Sequence, residues 1–323
     1  VVRDLRISVT DRCNFRCTYC MPAEGMQWMD RGDVLTYGEI ERIARVFTER
    51  FGLESVRLTG GEPTVRAHLP LLIERLAGLR RHDGGRLELS LTTNGSTLRN
   101  VAGDLRDAGL DRINVSMDSL RADRFLALTR RDELANVLAG IAEAKAVGFD
   151  PVKVNAVIER GANEDEIVDL ARYGRDNGVE VRFIEFMPLD ASNEWQRNKV
   201  VTQDEIVSAI NAEFPLERVP ARGAAPADRW RYLDGKGTVG VIPSVSHPFC
   251  GDCDRVRLTS DGQFRTCLFA TQETDLRVIM RNGGTDDDIA AAVTAAVAAK
   301  WAGHNINTVN FVRPKRTMSQ IGG

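Results

Sequence analysis

The sequence predicts a parallel α/β fold, a barrel or part of one, followed by a C-terminal region with a different rhythm. Three observations carry this. Residues 5–187 alternate six short apolar runs with longer amphipathic stretches, the pattern of parallel strands joined by crossover helices. Polar residues recur at the carboxyl ends of those runs, where barrel active sites are assembled from several strand ends. After Met187 the alternation stops. Alternation alone fits an open sheet as well as a barrel; the polar strand ends favour the barrel.

The strands are read in order as LRISVT (5–10), SVRLTG (55–60), LELSLTT (87–93), RINVSMD (112–118), VKVNAVI (152–158) and VEVRFIEFM (179–187). They are short and rich in Val, Ile and Leu, as buried parallel strands are. Between them, YGEIERIARVFTERFG, HLPLLIERLAGLRR, LRNVAGDLRDAG, ELANVLAGIAEAKAVG and EDEIVDLARYGRDNG repeat with helical period, several closing on glycine. The polar strand ends are Thr10-Asp11-Arg12, Thr59-Gly60-Gly61-Glu62, Thr92-Thr93-Asn94-Gly95, Ser116-Met117-Asp118, Asn155 and Glu185. Further on, Thr202 with Glu205 forms a capping signal for a helix over 202–214. Residues 220–229 (PARGAAPADR) read as a flexible connector, and short strands and turns follow. An Ala-rich helix over about 286–302 opens on three aspartates, which suit a helix N-terminus. The tail carries no acidic residue after Asp288 but has Lys300, Arg313, Lys315 and Arg316.

The 323 residues are 43% hydrophobic and 28% charged, with a net charge of −3. This is the composition of a soluble globular enzyme and gives no overall nucleic-acid footprint. No apolar run approaches the ~18 residues of a membrane span, and VVRDLR does not read as a signal peptide. The expectation is a cytoplasmic protein with neither nucleic-acid nor membrane partners.

In a reducing compartment, closely spaced thiols are metal ligands or redox catalysts more often than disulfides. The six cysteines fall into two triads, Cys13-x3-Cys17-x2-Cys20 and Cys250-x2-Cys253-x13-Cys267. Structural zinc takes four ligands, and the four histidines are scattered, with only His247 near a cysteine. A [4Fe–4S] cluster held by three thiolates leaves one iron open to a small molecule. The first loop is tight enough to wrap one face of a cluster, with Phe15 and Tyr19 shielding it.

The first triad, with Tyr19 before its third cysteine, and the Gly60-Gly61-Glu62-Pro63 stretch at a strand end resemble the signatures of radical S-adenosylmethionine (AdoMet) enzymes. That resemblance implies a partial (β/α)6 TIM-like barrel with a C-terminal auxiliary iron–sulfur region. It further implies a cluster whose open iron binds the amino and carboxylate groups of AdoMet and whose electron releases a 5′-deoxyadenosyl radical. The second triad resembles the auxiliary cluster of the GTP 3′,8-cyclase family, which opens molybdenum cofactor biosynthesis. The likeness extends through "LRISVTDRCNFRCTYCMP", "RLTGGEPTVR", "TTNG", "INVSMDSL", "FIEFMP", "CGDCDRVRLTSDGQFRTCLF" and the closing Gly322-Gly323.

The resemblance implies two [4Fe–4S] clusters, one on Cys13, Cys17 and Cys20 and one on Cys250, Cys253 and Cys267. It assigns Tyr19, Gly61, Ser116 and Met187 to AdoMet. It assigns Arg6, Arg57, Thr92, Lys153, Arg255 and Arg257 to GTP, with Thr93 left open beside Thr92. GTP carries about four negative charges, and a cationic set suits it. The 3′ hydrogen of GTP is expected to go to the deoxyadenosyl radical, C3′ then attacking C8. This step needs no general base, in keeping with the lack of a His/Asp or Ser/His constellation. Gly322 and Gly323 are expected to reach into the pocket, where side chains would obstruct. Domain boundaries are expected at 1–219 for the barrel and 220–323 for the auxiliary region and tail. An external electron donor and product hand-over to a cyclic pyranopterin monophosphate synthase are implied partners, and a homodimer is compatible. Two other readings stand beside this one: a peptide-modifying radical enzyme with one auxiliary cluster, and a non-catalytic metal or iron–sulfur scaffold.

Overall fold

The computed structural model describes residues 2–189, 195–220, 223–300, 306 and 311–322. Twelve strands form one sheet. In chain order they are β1 (Asp4–Ser8), β2 (Ser55–Thr59), β3 (Glu88–Thr93), β4 (Arg112–Ser116), β5 (Lys153–Ile158), β6 (Glu180–Glu185), β7 (Leu216–Val219), β8 (Asp228–Tyr232), β9 (Thr238–Ile242), β10 (Arg255–Leu258), β11 (Gln263–Arg265) and β12 (Thr274–Asp275). Their spatial order is β12-β11-β10-β1-β2-β3-β4-β5-β6-β9-β8-β7. The six N-terminal strands lie side by side in parallel, as the alternation predicts. β9 extends this array in parallel beyond β6, and β10 does so beyond β1. The antiparallel strands β8, β7 and β11, β12 finish the two edges.

The helices are α1 (Tyr37–Phe51), α2 (Leu69–Gly78), α3 (Leu98–Asp107), α4 (Ala122–Thr129), α5 (Leu134–Ala146), α6 (Ile167–Asn177), α7 (Gln203–Glu213), α8 (Leu276–Arg281), α9 (Asp286–Ala298) and α10 (Met318–Ile321). The capping signals act as read: the Thr202 hydroxyl accepts from the Glu205 N–H while the Glu205 carboxylate accepts from the Thr202 N–H. Thr285 and Asp288 do the same for α9. Two details depart from the sequence reading. Residues 122–129 form α4, whose Asp123 and Arg124 hide a narrow apolar seam around the buried Phe125. Asp228 and Arg229, read as the end of a connector, belong to β8 and pair with β9 and β7.

Period-two alternation sorts each strand into two faces. Leu5, Ile7, Val56, Leu58, Leu89, Leu91, Ile113, Val115, Val154, Ala156, Val181 and Phe183 are buried in the main hydrophobic core. The alternate positions are polar: Arg6, Arg57, Thr92, Ser116, Asn155 and Arg182 line a central cavity instead. A closed TIM barrel fills its interior with branched aliphatic side chains. Here the interior is a site.

The topology also determines where the second triad lies. β9 stands next to β6 and β10 next to β1, at opposite ends of the parallel array. Residues 243–254 therefore run from one side of the array to the other, carrying Cys250 and Cys253. Glu185 anchors the start of this strap. Its carboxylate is fully buried and accepts from the N–H groups of Val245 (2.8 Å), Ser246 (2.7 Å) and Gln203 (2.8 Å), and from the Ser246 hydroxyl.

Candidate active site

The first triad occupies the loop after β1, at the carboxyl ends of the strands. Two contacts pin that loop. The Gly61 N–H donates to Thr10 O at 2.7 Å and the Glu62 N–H to Arg12 O at 2.8 Å. A Cβ on Gly61 would lie 2.3 Å from Arg12 O, so only glycine permits this approach. Glu62 is buried and accepts from the Thr64 hydroxyl (2.6 Å), the Thr93 hydroxyl (2.7 Å) and the Asn94 N–H (2.6 Å). Thr93 is thereby committed to Glu62, while Thr92 lines the cavity. On the other side, the Tyr19 hydroxyl donates to Asp118 at 2.7 Å, and Asp118 also accepts from the Val157 N–H at 2.8 Å. Burial raises the Asp118 carboxyl to about 6.

The thiols of this triad feel one another. Burial first, then the neighbouring cysteines and Asp118, raise Cys17 well above its ordinary value. Burial first, with Cys13 next, raises Cys20 to about 12, and burial raises Cys13 to about 11. Among the described residues no three His, Cys, Asp or Glu side chains converge as they would on a single metal ion. Each thiolate of an iron–sulfur cluster binds its own iron, so three thiols facing a common space suffice. A metal deprotonates a coordinating thiol outright, so the raised values describe the free thiols. Donor type and arrangement fit a cluster.

The cavity, about 1360 Å³ of empty space counting its mouth, is lined by Tyr19, Ser116 and Met187 towards the first triad. Arg6, Arg57, Arg255 and Arg257 also line it, as do all three cysteines of the second triad. Strand register explains the arginines. Arg257, Arg6 and Arg57 are paired neighbours across β10, β1 and β2, which sets the three backbones one strand spacing apart, ~4.8 Å. Burial first, then the mutual proximity of the cations, lowers Arg6 to about 9 and Arg257 well below its ordinary value; burial lowers Arg57 to about 10. Guanidiniums keep their proton in proteins, so this is electrostatic strain that a bound anion relieves. Arg6 Nε and Asn155 Oδ1 are buried without a hydrogen-bond partner, two polar atoms left for a ligand. Lys153 is buried at the start of β5, beside Glu180 in register and outside the set of cavity-lining residues. Burial, then Arg182, lowers its ammonium to about 7.

Around the second triad the charges differ. The Lys300 ammonium donates to Cys253 O at 3.0 Å and Arg255 O at 3.1 Å. Burial of Cys253 works upward, but Arg255 and Lys300 outweigh it and leave the thiol below its ordinary value. Gly322 stands inside the barrel at φ +80°, where a Cβ would lie 2.6 Å from Thr59 Oγ1. Its carbonyl accepts from Arg257. Gly323 lies outside the described residues. The sequence reading passes over Arg182 and names Asn155 and Asp118 only among the polar strand ends, although all three line the cavity. The inward phase of β5 and β6, counted in twos from Lys153 and Glu180, was the available signal for the first two.

Three thiols at the carboxyl mouth of a partial parallel barrel, above a polar interior, define the class: a barrel enzyme built around an iron–sulfur site. Residues 7–174 match the Radical SAM superfamily and residues 179–306 the Molybdenum Cofactor Synthesis C family. The chain is 50% identical over 328 residues to GTP 3′,8-cyclase 2 of Mycobacterium tuberculosis, covering 100% of this chain and 90% of that one. It is also 50% identical over 325 residues to GTP 3′,8-cyclase of Streptomyces coelicolor, covering 100% and 94%. The structure of hexahistidine-tagged anSMEcpe with bound AdoMet superposes with a TM-score of 0.64 at 15% identity, over 95% of this chain and 80% of that one. Streptococcus suis SuiB bound to S-adenosylmethionine gives 0.62 at 14%, over 89% and 67%. At these identities the structural likeness shows the fold alone. The chain belongs to the radical SAM superfamily and, within it, to the GTP 3′,8-cyclase family. Members of the superfamily bind AdoMet and a [4Fe–4S] cluster. No helix among the described residues is long and apolar enough to cross a membrane.

Proposed function

We propose that the chain converts GTP to 3′,8-cyclo-7,8-dihydro-GTP, the opening step of molybdenum cofactor biosynthesis, with AdoMet bound at the first triad and a second [4Fe–4S] cluster held by Cys250, Cys253 and Cys267. The observation that carries this reading is the row Arg257–Arg6–Arg57 inside a cavity that the second triad also lines. Cys13, Cys17 and Cys20 would hold a cluster that, with AdoMet, would supply hydrogen-atom abstraction at C3′ of GTP, ahead of the bonding of C3′ to C8 and a reduction with protonation fed by the external donor.

The chain's own contribution is binding and orientation. Arg6, Arg57, Arg255 and Arg257 receive the polyanion in a low-dielectric interior, where charge-assisted bonds are strong. Lys153 and Arg182 add charge from β5 and β6, and Thr92 adds a hydroxyl. Tyr19, Gly61, Ser116 and Met187 form the AdoMet side, with Tyr19 steadied by Asp118. The strap over residues 243–254 crosses the flank of the barrel and limits water there, as a reactive carbon radical requires. Gly322, packed where no side chain fits, belongs to the substrate side. The electron comes from an external donor, and the product passes to the next enzyme of the route.

Identity near 50% to cyclases weighs against the peptide-modifying reading, and a cavity lined by Arg6, Arg57, Arg182, Arg255 and Arg257 weighs against a scaffold. The test is anaerobic reconstitution followed by AdoMet, reductant and 3′-deuterated GTP. Deuterium in the deoxyadenosine, with cyclised nucleotide formed, is the expected result. Deoxyadenosine formed at the same rate without GTP, and unlabelled with it, would refute the assignment.

A further inference from the structure

The segment 316–322 is held at both of its ends, in different ways. At its far end the Gly322 carbonyl accepts from Arg257 inside the cavity. At its near end Arg316 is clamped between two carboxylates. Its Nη1 and Nη2 donate to the two oxygens of Asp261 at 3.2 and 2.8 Å, a parallel fork, and its Nε donates to Glu273 at 3.1 Å. The side chains of Arg316, Asp261 and Glu273 are 21%, 16% and 22% exposed, so the clamp is largely shielded from water. Both carboxylates are themselves held. Asp261, in the turn between β10 and β11, accepts from the Thr259 hydroxyl at 2.5 Å. Glu273 also pairs with the buried Arg265, whose guanidinium donates to Leu268 O and Ala270 O beside Cys267. The tail is thus rooted in the network that supports the Cys267 loop. Between its two ends Met318 lines the cavity, and Ser319 and Ile321 are buried.

The two holds differ in strength and in purpose. Arg257 is a cation assigned to substrate, and a phosphate oxygen binds a guanidinium more strongly than a neutral carbonyl does. The Gly322 end is therefore the one that yields when an anion enters. Arg316 lies outside the set of cavity-lining residues and has a bidentate partner of its own. We propose that Arg316 is the positioning residue for the C-terminal tail: clamped by Asp261 and Glu273, it stays fixed and keeps Met318–Gly322 at the cavity while the Gly322 end exchanges with substrate at Arg257. A tether this short holds the free end at an effective concentration on the order of millimolar, so the tail reseats without a search. The proposal deepens the cyclase reading, because the cavity it serves is the one assigned to GTP.

The test is hydrogen exchange in the full chain, read by mass spectrometry on the C-terminal peptide. The Gln320 and Ile321 N–H groups there donate to Thr317 O, and the Gly322 N–H donates to Met318 O. Arg316→Ala is expected to speed their exchange at least about tenfold, the equivalent of one charge-assisted bond, while β1–β6 keep the parent rates. Arg316→Lys keeps the charge without the fork and gives a smaller increase. Asp261→Asn cuts the fork but leaves Glu273 with Arg265, and it carries the test if Arg316→Ala also loosens the strands. In the reconstituted enzyme the same variants should lower kcat for cyclisation by a similar factor, with GTP bound no more weakly than by the parent, because the cavity cations are intact. Parent exchange rates in the variant that carries the test overturn the clamp, and faster exchange with unchanged kcat overturns the positioning role. A parent protein with a protected tail that forms no cyclised nucleotide overturns the cyclase reading alone, a distinguishable failure.

Discussion

Cys13, Cys17 and Cys20 sit among one another, Glu62 and Asp118, and burial drives their thiols up, whereas Cys253 lies beside Arg255 and Lys300 and is drawn down in spite of burial. The two sites have the same donor set, but Cys253 lies in a field opposite to that of the first triad. The difference matches the ligands proposed for them. AdoMet carries a sulfonium and tolerates surroundings of low or negative charge, while a nucleoside triphosphate needs cations.

Removing a thiol is the severest way to test that division. Cys17→Ser is expected to abolish deoxyadenosine formation and to remove about four of about eight irons. Cys253→Ser is expected to lose a similar share of iron and all cyclised product while still cleaving AdoMet slowly. Iron analysis and chromatography read both, and equal loss of AdoMet cleavage in the two variants would erase the distinction.

Next in size is Arg257→Ala, which removes a buried guanidinium from one end of the row. A charge-assisted bond of ~1.5–3 kcal/mol corresponds to a drop of roughly 10- to 150-fold in kcat/KM for GTP. AdoMet binding in the same variant should stay near the parent level by equilibrium dialysis.

The free thiols sharpen the comparison directly. At pH 8 a thiol at about 12, such as Cys20, is thiolate in roughly one molecule in ten thousand, and the thiolate is the nucleophile. Cys253 should therefore be alkylated by iodoacetamide well before Cys13, Cys17 or Cys20 in the cluster-free protein. Mass spectrometry of the labelled peptides gives the order, and a first-triad cysteine reacting first contradicts it.

The smallest effect concerns Lys153. Its ammonium is lowered to about 7 by burial and Arg182, and a triphosphate favours the charged form. Above pH 7 the free protein must take up a proton to bind GTP, so affinity falls as pH rises, by at most about tenfold per unit. Calorimetry in buffers of different ionisation enthalpy should detect that uptake at pH 8. Lys153→Met should abolish it and flatten the profile.

Much of this arrangement was legible in the residues alone. The six parallel strands follow from period and length, because each apolar run is too short for a helix and each gap is long enough for one. Both triads were visible as spacings. The arginine row was visible only as separate residues: Arg6, Arg57 and Arg257 become neighbours through strand pairing, and nothing local in β1 announces that β10 will lie beside it. Arg182 escaped for a similar reason, and Asp118 was visible only as one of the polar strand ends. A carboxylate at a strand end and an arginine within a strand look like ordinary turn and surface residues until the inward face is known. α4 was hidden because its apolar seam is narrow, with Phe125 and Thr129 its buried positions.

The pairing of β1 with β10 has a consequence for biogenesis. Arg6 and Arg257 are partners in the sheet but lie about 250 residues apart along the chain. At ~5–20 residues per second, a nascent first strand waits roughly 12 to 50 seconds for the neighbour that covers its outer side. Until then it presents an unpaired edge, the kind of template on which chains aggregate. The stretch from β10 onward thus acts as a late guardian of the first strand. A chain stalled before Arg255 would leave a barrel with one flank open and a second triad lacking Cys267.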